Sequence, residues 1–177
     1  MRGFPHHFAP RRRFSEPLKR PVYDLNEARE KIRRYCVYRE RSHREVEERL
    51  KDMALNTNAI DQLLLELIEE GFLNEERFAR AYVRGKFNQK GWGRQKIEQA
   101  LHWHRIHPGL LQRALEEIDP REYQNRLDEI LRKRWEHAQE ESDFAQRGAV
   151  ARYAWQRGFE NDLIWERIEA LFPPHRP

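Results

Sequence analysis

Apolar residues recur along this chain at helical spacing, and the pattern returns as a block. Between residues 46 and 67 the apolar positions follow the spacing of two amphipathic helices joined by a short turn. The block repeats at an offset of 51 residues and again at a further 53. Six columns of apolar residues align: Val46, Ile97 and Val150; Leu50, Leu101 and Ala154; Leu55, Ile106 and Phe159; Ile60, Leu111 and Ile164; Leu64, Leu115 and Ile168; Leu67, Ile118 and Leu171. Such a recurrence indicates a repeat protein.

A further helical segment precedes each block. The three segments carry apolar stripes at the same spacing: Ala28, Ile32 and Cys36; Ala79, Val83 and Phe87; Leu127, Leu131 and Trp135. The pattern therefore predicts an all-α fold, a tandem array of three three-helix repeats. Since each repeat contacts mainly its neighbours, we expect an elongated, curved molecule. We place the repeats at residues 22–73, 74–119 and 120–177.

The residues between the predicted helices are typical of helix boundaries. Ser42 and Glu45 have the spacing of a capping box, in which each side chain accepts a hydrogen bond from the other residue's backbone N–H. Asn74 is a second N-cap candidate, and Pro108 occupies the favoured first position of a helix. These signals agree with the boundaries that the apolar pattern sets.

The composition favours small helices over a broad buried sheet, because 36% of the 177 residues are charged and 38% are hydrophobic. Cys36 is the single cysteine, which excludes a disulfide within the chain. No segment resembles a signal peptide or a membrane span. We expect a soluble, cytoplasmic monomer.

Basic residues are concentrated at the start of the chain. Residues 1–21 contain six Lys or Arg and one acidic residue, Glu16, a net charge of +5 against +4 for the whole chain. Four prolines and the lack of any period predict a disordered basic tail. Such a tail is either a solubilising extension or a weak contact to an acidic partner such as nucleic acid.

Three histidines, His102, His104 and His107, lie close together in ALHWHRIHPGLL, residues 100–111. Histidine is a common zinc ligand, but residues two apart point to different sides of a helix, and no cysteine or close carboxylate completes a tetrahedral set. The aligned positions of the other two repeats are not histidines. We therefore expect no metal and expect that the three rings are dispensable for the fold. The alternative is a metal-dependent enzyme with its site at these histidines, where two predicted helices meet.

Signatures of catalysis are lacking in the sequence. It contains no Gly-rich phosphate loop, no Ser or Cys beside a plausible base and no HExxH motif. We predict no catalytic residues, no cofactor and a protein that is not an enzyme. The five tryptophans fit packing roles for the most part, and Trp92 fits packing against its own helix better than stacking on a base.

Two stretches of the sequence resemble a known family. Residues 71–106, GFLNEERFARAYVRGKFNQKGWGRQKIEQALHWHRI, resemble the central repeat of RecX proteins, bacterial modulators of the RecA recombinase, and residues 145–168 resemble the third repeat. The residues that match are Glu75, Glu76, Arg77, Phe78, Ala79, Gly91, Ile97, Leu101, Arg157, Gly158 and Phe159. Asn74 replaces the capping acid of the family, and HRIH stands where a glycine is usual.

The resemblance, which covers about residues 25–172, implies a function. RecX-like proteins are non-enzymatic regulators that lie in the groove of the RecA–DNA filament and limit its growth. By limiting filament growth, such proteins also limit recombination, cleavage of the SOS repressor and ATP turnover. No cofactor is implied.

Basic residues at helical spacing are our candidates for partner contact. Arg77, Arg80 and Arg84 form a ridge beside the apolar stripe of the second repeat, and further candidates follow in the second and third repeats. The candidate set is Arg77, Arg80, Arg84, Lys86, Lys90, Arg94, Arg132, Lys133, Arg147 and Arg152, and Arg157 is a further basic residue of the third repeat. These side chains suit carboxylates of RecA or phosphates. The alternative function is a helical-repeat nucleic-acid-binding protein, and a solvated face is the alternative for any single residue.

Overall fold

The structure is a computed structural model that describes residues 23–138 and 142–173. Within these ranges the chain forms nine α-helices and no strand. They are α1 (Leu25–Tyr38), α2 (His43–Asp52), α3 (Thr57–Glu69), α4 (Glu75–Lys90), α5 (Arg94–Trp103), α6 (Pro108–Glu116), α7 (Pro120–His137), α8 (Asp143–Gln156) and α9 (Asn161–Leu171). Unit 1 comprises α1–α3, unit 2 α4–α6 and unit 3 α7–α9. The all-α repeat fold is confirmed, while the predicted tail lies outside the described residues.

The helix boundaries follow the capping chemistry. Ser42 and Glu45 form the capping box: the Ser42 hydroxyl accepts from the Glu45 N–H at 3.2 Å, and the Glu45 carboxylate accepts from the Ser42 N–H at 3.0 Å. Asn74 caps α4 by accepting from the Arg77 N–H at 2.8 Å. Pro108 begins α6. Each cap satisfies a backbone donor that has no partner within its own helix.

Two hydrophobic cores hold the nine helices. All eighteen repeated apolar positions are buried or half-buried. Unit 1 packs a core of its own, whereas the cores of units 2 and 3 merge into one. Each large apolar side chain that leaves water contributes roughly 1.5–3 kcal/mol. Units 2 and 3 are therefore coupled by apolar burial, while the attachment of unit 1 depends on other contacts.

The junction between units 1 and 2 is largely polar. Arg44 of α2 donates to the carbonyl of Trp103 at 2.7 Å, and its guanidinium lies 4.0 Å from the centre of the Trp103 ring. Arg77 Nε of α4 lies 2.6 Å from a Glu40 carboxylate oxygen. Within the described residues, no hydrogen bond or ion pair joins unit 1 to unit 3. The units are accordingly arranged in series.

The junction between units 2 and 3 is a close backbone contact. The Gly93 N–H donates to the Arg157 carbonyl at 2.8 Å, and the Gln95 N–H donates to the Gly158 carbonyl at 3.1 Å. Beside them the Tyr123 hydroxyl accepts from the Arg94 N–H at 3.0 Å and donates to Glu160 at 2.7 Å. Burial, together with the bond to Glu160, raises the pKa of Tyr123. The hydroxyl therefore remains protonated and keeps its donor role.

Candidate partner-binding surface

The three histidines have three separate surroundings. His102 is exposed, with Nε2 3.7 Å from Glu98. His104 is buried, and His107 caps α6, where its Nδ1 accepts from the Gly109 N–H at 3.1 Å. In the part of the chain that the structure describes, no three His, Cys, Asp or Glu side chains are grouped so as to hold a metal ion.

His104 connects unit 2 to unit 1. Its Nδ1 lies 2.9 Å from the Ser42 hydroxyl, the N-cap of α2, and the ring is 8% exposed. The rings of Phe78, Tyr82 and Trp103 surround it at centroid distances of 5.0, 5.2 and 4.9 Å. The expectation that all three imidazoles are dispensable took no account of this burial, and because the His104 ring fills the junction we now expect its loss to destabilise the fold.

We predict a pH dependence of stability that originates at His104. Burial lowers the pKa of His104 in the folded state. The unfolded chain consequently binds protons more readily, and the stability present above about pH 6.5, the ordinary histidine pKa, falls as the pH drops below it. Thermal unfolding should show a smaller pH 7-to-5 decrease in Tm for His104→Leu than for the unmodified chain.

At pH 7.5 the His104→Leu variant should also lose about 1–2 kcal/mol, because a buried hydrogen bond is removed. His102→Leu is the matched control and should change stability by less than about 0.5 kcal/mol, as expected for an exposed site. If His104→Leu retained the full pH dependence of the unmodified chain, the assignment to His104 would be wrong.

The arginine ridge of α4 carries its own counterions. Arg80 lies 2.8 Å from Glu76 and 3.0 Å from Glu117, while Arg84 lies 3.4 Å from Glu117. Their side chains remain 45% and 60% exposed. Arg77 differs, because it binds Glu40 and also donates to the Gly71 carbonyl at 2.9 Å. Arg77 therefore serves the junction of units 1 and 2, although its side chain is 47% exposed, whereas Arg80 and Arg84 pair, among the described residues, only with carboxylates of unit 2 and its end.

Lys86 and Arg94, two further candidates of unit 2, each lie beside aromatic rings. Lys86 lies between the rings of Tyr82 and Trp92, 4.8 Å from each centroid. Trp92 is half-buried and packs on the core of units 2 and 3, in agreement with its predicted packing role. The Arg94 guanidinium lies 4.0 Å from the Tyr123 ring centroid and donates to the Ile118 carbonyl. Arg94 thus has a structural role.

The candidates of unit 3 comprise one residue with a structural role and three exposed residues. Arg147 is only 12% exposed, lies 2.6 Å from Asp143 and donates to the Phe172 carbonyl, so that it fixes the end of α9. Arg132, Lys133 and Arg152 are exposed. None of these three forms an ion pair with another described residue.

Two grooves run between the units. The first groove, about 680 Å³, lies between units 1 and 2 and is lined by Arg39, Glu40, Glu45, Phe78, Ala81, Tyr82, Gly85, Lys86, Gln89, Lys90 and His104. The second groove, about 520 Å³, lies between units 2 and 3 and is lined by Asn88, Gln89, Lys90, Gly91, Arg126, Glu129, Ile130, Lys133, Arg134, His137, Tyr153 and Arg157. Both grooves contain Gln89 and Lys90 at the end of α4. The ridge arginines line neither.

Three basic groups of the second groove were missed in the sequence: Arg126, Arg134 and His137. They lie on one face of α7 at i, i+8 and i+11, a spacing that the sequence contains. Arg157 comes from the turn after α8 and is placed there by the tertiary structure. The tryptophan expectation was also incomplete, because Trp103, Trp155 and Trp165 are 50%, 58% and 37% exposed.

Comparison with known proteins identifies the family. Residues 74–115 match a family model described as "RecX, second three-helix domain", and residues 121–168 match one described as "RecX, third three-helix domain". A regulatory protein RecX from Corynebacterium efficiens is 30% identical, over 90% of this chain and 85% of its own length. The chain belongs to the RecX family.

Other RecX proteins agree with this assignment. The Deinococcus radiodurans RecX is 26% identical over 94% of this chain and 86% of its own length. The chain spans half the length of the RecX from Oceanobacillus iheyensis, to which it is 22% identical. The crystal structure of RecX from Lactobacillus salivarius superimposes with a TM-score of 0.73 at 20% identity, covering 83% of this chain and 96% of that one. That structure has the same fold.

None of the helices in residues 23–138 and 142–173 is long and apolar enough to cross a membrane.

Proposed function

We propose that this chain is a non-enzymatic regulator of the RecA recombinase that binds in the groove of the RecA–DNA filament and limits its growth. Limited growth lowers the ATPase, recombination and SOS co-protease activities of the filament. The observation that carries the proposal is the family match. The second and third RecX domains follow one another in this chain, and its relatives are named regulatory proteins. The site of action is then the cytoplasm, and the protein acts as a monomer.

The arrangement of the units supports a contact with a filament. Three units in series offer a surface that is longer than that of one compact domain, and a helical filament offers a repeating groove. A polar junction joins unit 1 to unit 2, so few apolar contacts oppose a small adjustment between them. Such an array can follow a curved partner.

The ridge of Arg80 and Arg84 is our proposed contact with RecA. Both side chains are about half exposed, and they share Glu117 as a counterion. An exposed ion pair of this kind contributes at most roughly 1 kcal/mol. Both arginines can therefore exchange Glu117 for a carboxylate of the partner at small cost, and charge complementarity then favours the correct register.

An ATPase titration tests the function. RecA from the same organism is assembled on single-stranded DNA, and the chain is added at increasing ratios while ATP hydrolysis is followed. Substoichiometric amounts should suppress hydrolysis, because one bound molecule that stops growth affects many RecA subunits.

The control repeats the titration with single-stranded DNA in large excess, which removes any inhibition due to competition for free DNA. Inhibition that disappears under excess DNA, or its absence from every titration, would show that the chain does not regulate RecA through the filament.

A further inference from the structure

The second groove contains an excess of positive charge. Five Lys or Arg side chains line it, and Glu129 is the single carboxylate among the lining residues that the structure describes. Glu129 lies 3.0 Å from Arg126 and so compensates one of the five. Lys90 and Lys133 form no ion pair with any described residue. Like charges brought together without counterions repel each other, so this arrangement favours an anion from outside the chain.

Two guanidinium groups in the groove have donors without partners. The Nε atoms of Arg134 and Arg157 are buried and have no hydrogen-bond acceptor among the described residues. Arg157 uses its terminal nitrogens on the Lys90 carbonyl at 3.0 Å and on the Tyr153 hydroxyl at 2.6 Å. Both guanidinium groups lie near the Tyr153 ring, at 5.6 and 4.7 Å from its centroid. These hydrogen bonds hold Arg157 at the wall of the groove, and Arg134 lies beside the same ring.

The basic residues are spread along the groove. Arg126, Lys133 and His137 follow one another on α7 over eleven residues, a rise of about 16 Å at 1.5 Å per residue. Lys90 adds a charge from the facing end of α4. A row of this length matches a linear polyanion with regularly spaced charges better than it matches an isolated carboxylate. Lys and Arg side chains are the usual partners of backbone phosphates in nucleic acids.

We infer that the second groove binds the phosphodiester backbone of DNA, with Lys90, Lys133 and Arg134 as the phosphate contacts. This inference does not rest on the proposed function, because it requires no RecA. The ridge of Arg80 and Arg84, which we assign to RecA, does not line this groove, so the two contacts are separable by substitution.

The test measures DNA binding by the full chain alone. Fluorescence anisotropy of a labelled 20-nucleotide oligo(dT), and separately of a 20-base-pair duplex, is recorded between 50 and 200 mM salt. The variant Lys90→Gln/Lys133→Gln removes two groove charges. The matched control, Arg132→Gln/Arg152→Gln, removes two exposed charges that lie outside the groove.

The groove variant should bind oligo(dT) about tenfold more weakly than the unmodified chain at 100 mM salt. The slope of log affinity against log salt should decrease by about 1.4, since each phosphate contact on a single strand contributes about 0.7. The control variant should change affinity by less than about twofold. The duplex arm tells which form of DNA supplies the phosphates, and binding of either form in this pattern supports the inference.

Equal effects of the two variants would overturn the inference, because general charge would then explain the binding. Polyglutamate serves as a further probe. If it bound more tightly than both DNAs and lost its binding in the groove variant, the ligand would be an acidic polypeptide rather than DNA. Circular dichroism melts of both variants establish that each is folded.

Discussion

Replacing Gly93 with alanine should lower the free energy of unfolding by roughly 3 kcal/mol, about 10 °C in Tm. A methyl group at Gly93 would lie 2.2 Å from the Gly158 carbonyl oxygen and 2.5 Å from the Phe159 nitrogen, both in unit 3. These are backbone atoms, so no side chain can move aside. The backbone of Gly93, at φ −77° and ψ 167°, suits alanine, so the cost arises from the contact with unit 3 alone.

The same substitution at Gly148, inside α8, is the control. A methyl group there would have no neighbour within 4 Å, and alanine in place of glycine within a helix stabilises by about 0.5–1 kcal/mol. Urea unfolding of both variants measures the difference. If Gly93→Ala were as stable as the unmodified chain, the close backbone contact of units 2 and 3 would not exist in solution.

The charge reversal Arg80→Glu/Arg84→Glu should raise the concentration needed to suppress the RecA ATPase by tenfold or more. Reversing two charges at a complementary surface replaces attraction by repulsion, which costs several kcal/mol in binding. The fold should survive, because the exposed ion pairs with Glu76 and Glu117 each contribute at most roughly 1 kcal/mol. Arg77 is left unchanged because it binds unit 1 through Glu40.

A second double variant, Arg113→Glu/Arg121→Glu, supplies the same change in net charge at exposed positions outside every candidate set. It should suppress the ATPase like the unmodified chain. If the ridge variant were folded and still fully inhibitory, the contact with RecA would lie elsewhere, and Arg132 and Arg152 of unit 3 would be tested next. Because the ridge does not line the second groove, loss of DNA binding and loss of inhibition should occur in different variants.

Separating the two surfaces would have a mechanistic consequence. A chain that contacts RecA through α4 and DNA through the second groove would be held on the filament by two linked interactions, and linked sites bind together more tightly than either alone. The groove variant should then still inhibit RecA, though at higher concentration. The ridge variant should still bind oligo(dT).

The sequence by itself determined the helices and their packing faces. The apolar spacing placed Val46, Ile97 and Val150 in the cores, and the capping signals at Ser42 and Asn74 marked helix starts that the structure confirms. These features depend on residues a few positions apart, so a periodic pattern is enough to predict them. The match to the RecX repeats followed from the same local segments.

Only the tertiary structure decided the role of each basic side chain and of the three histidines. Arg77, Arg94 and Arg147 look like Arg132 in the sequence, yet each is engaged by a carbonyl or carboxylate that only the fold brings near. His104 meets Ser42 across 62 positions of the chain, and Arg157 reaches Lys90 across 67. Whether a polar group is exposed or paired depends on neighbours from distant segments, and periodicity contains no information about them.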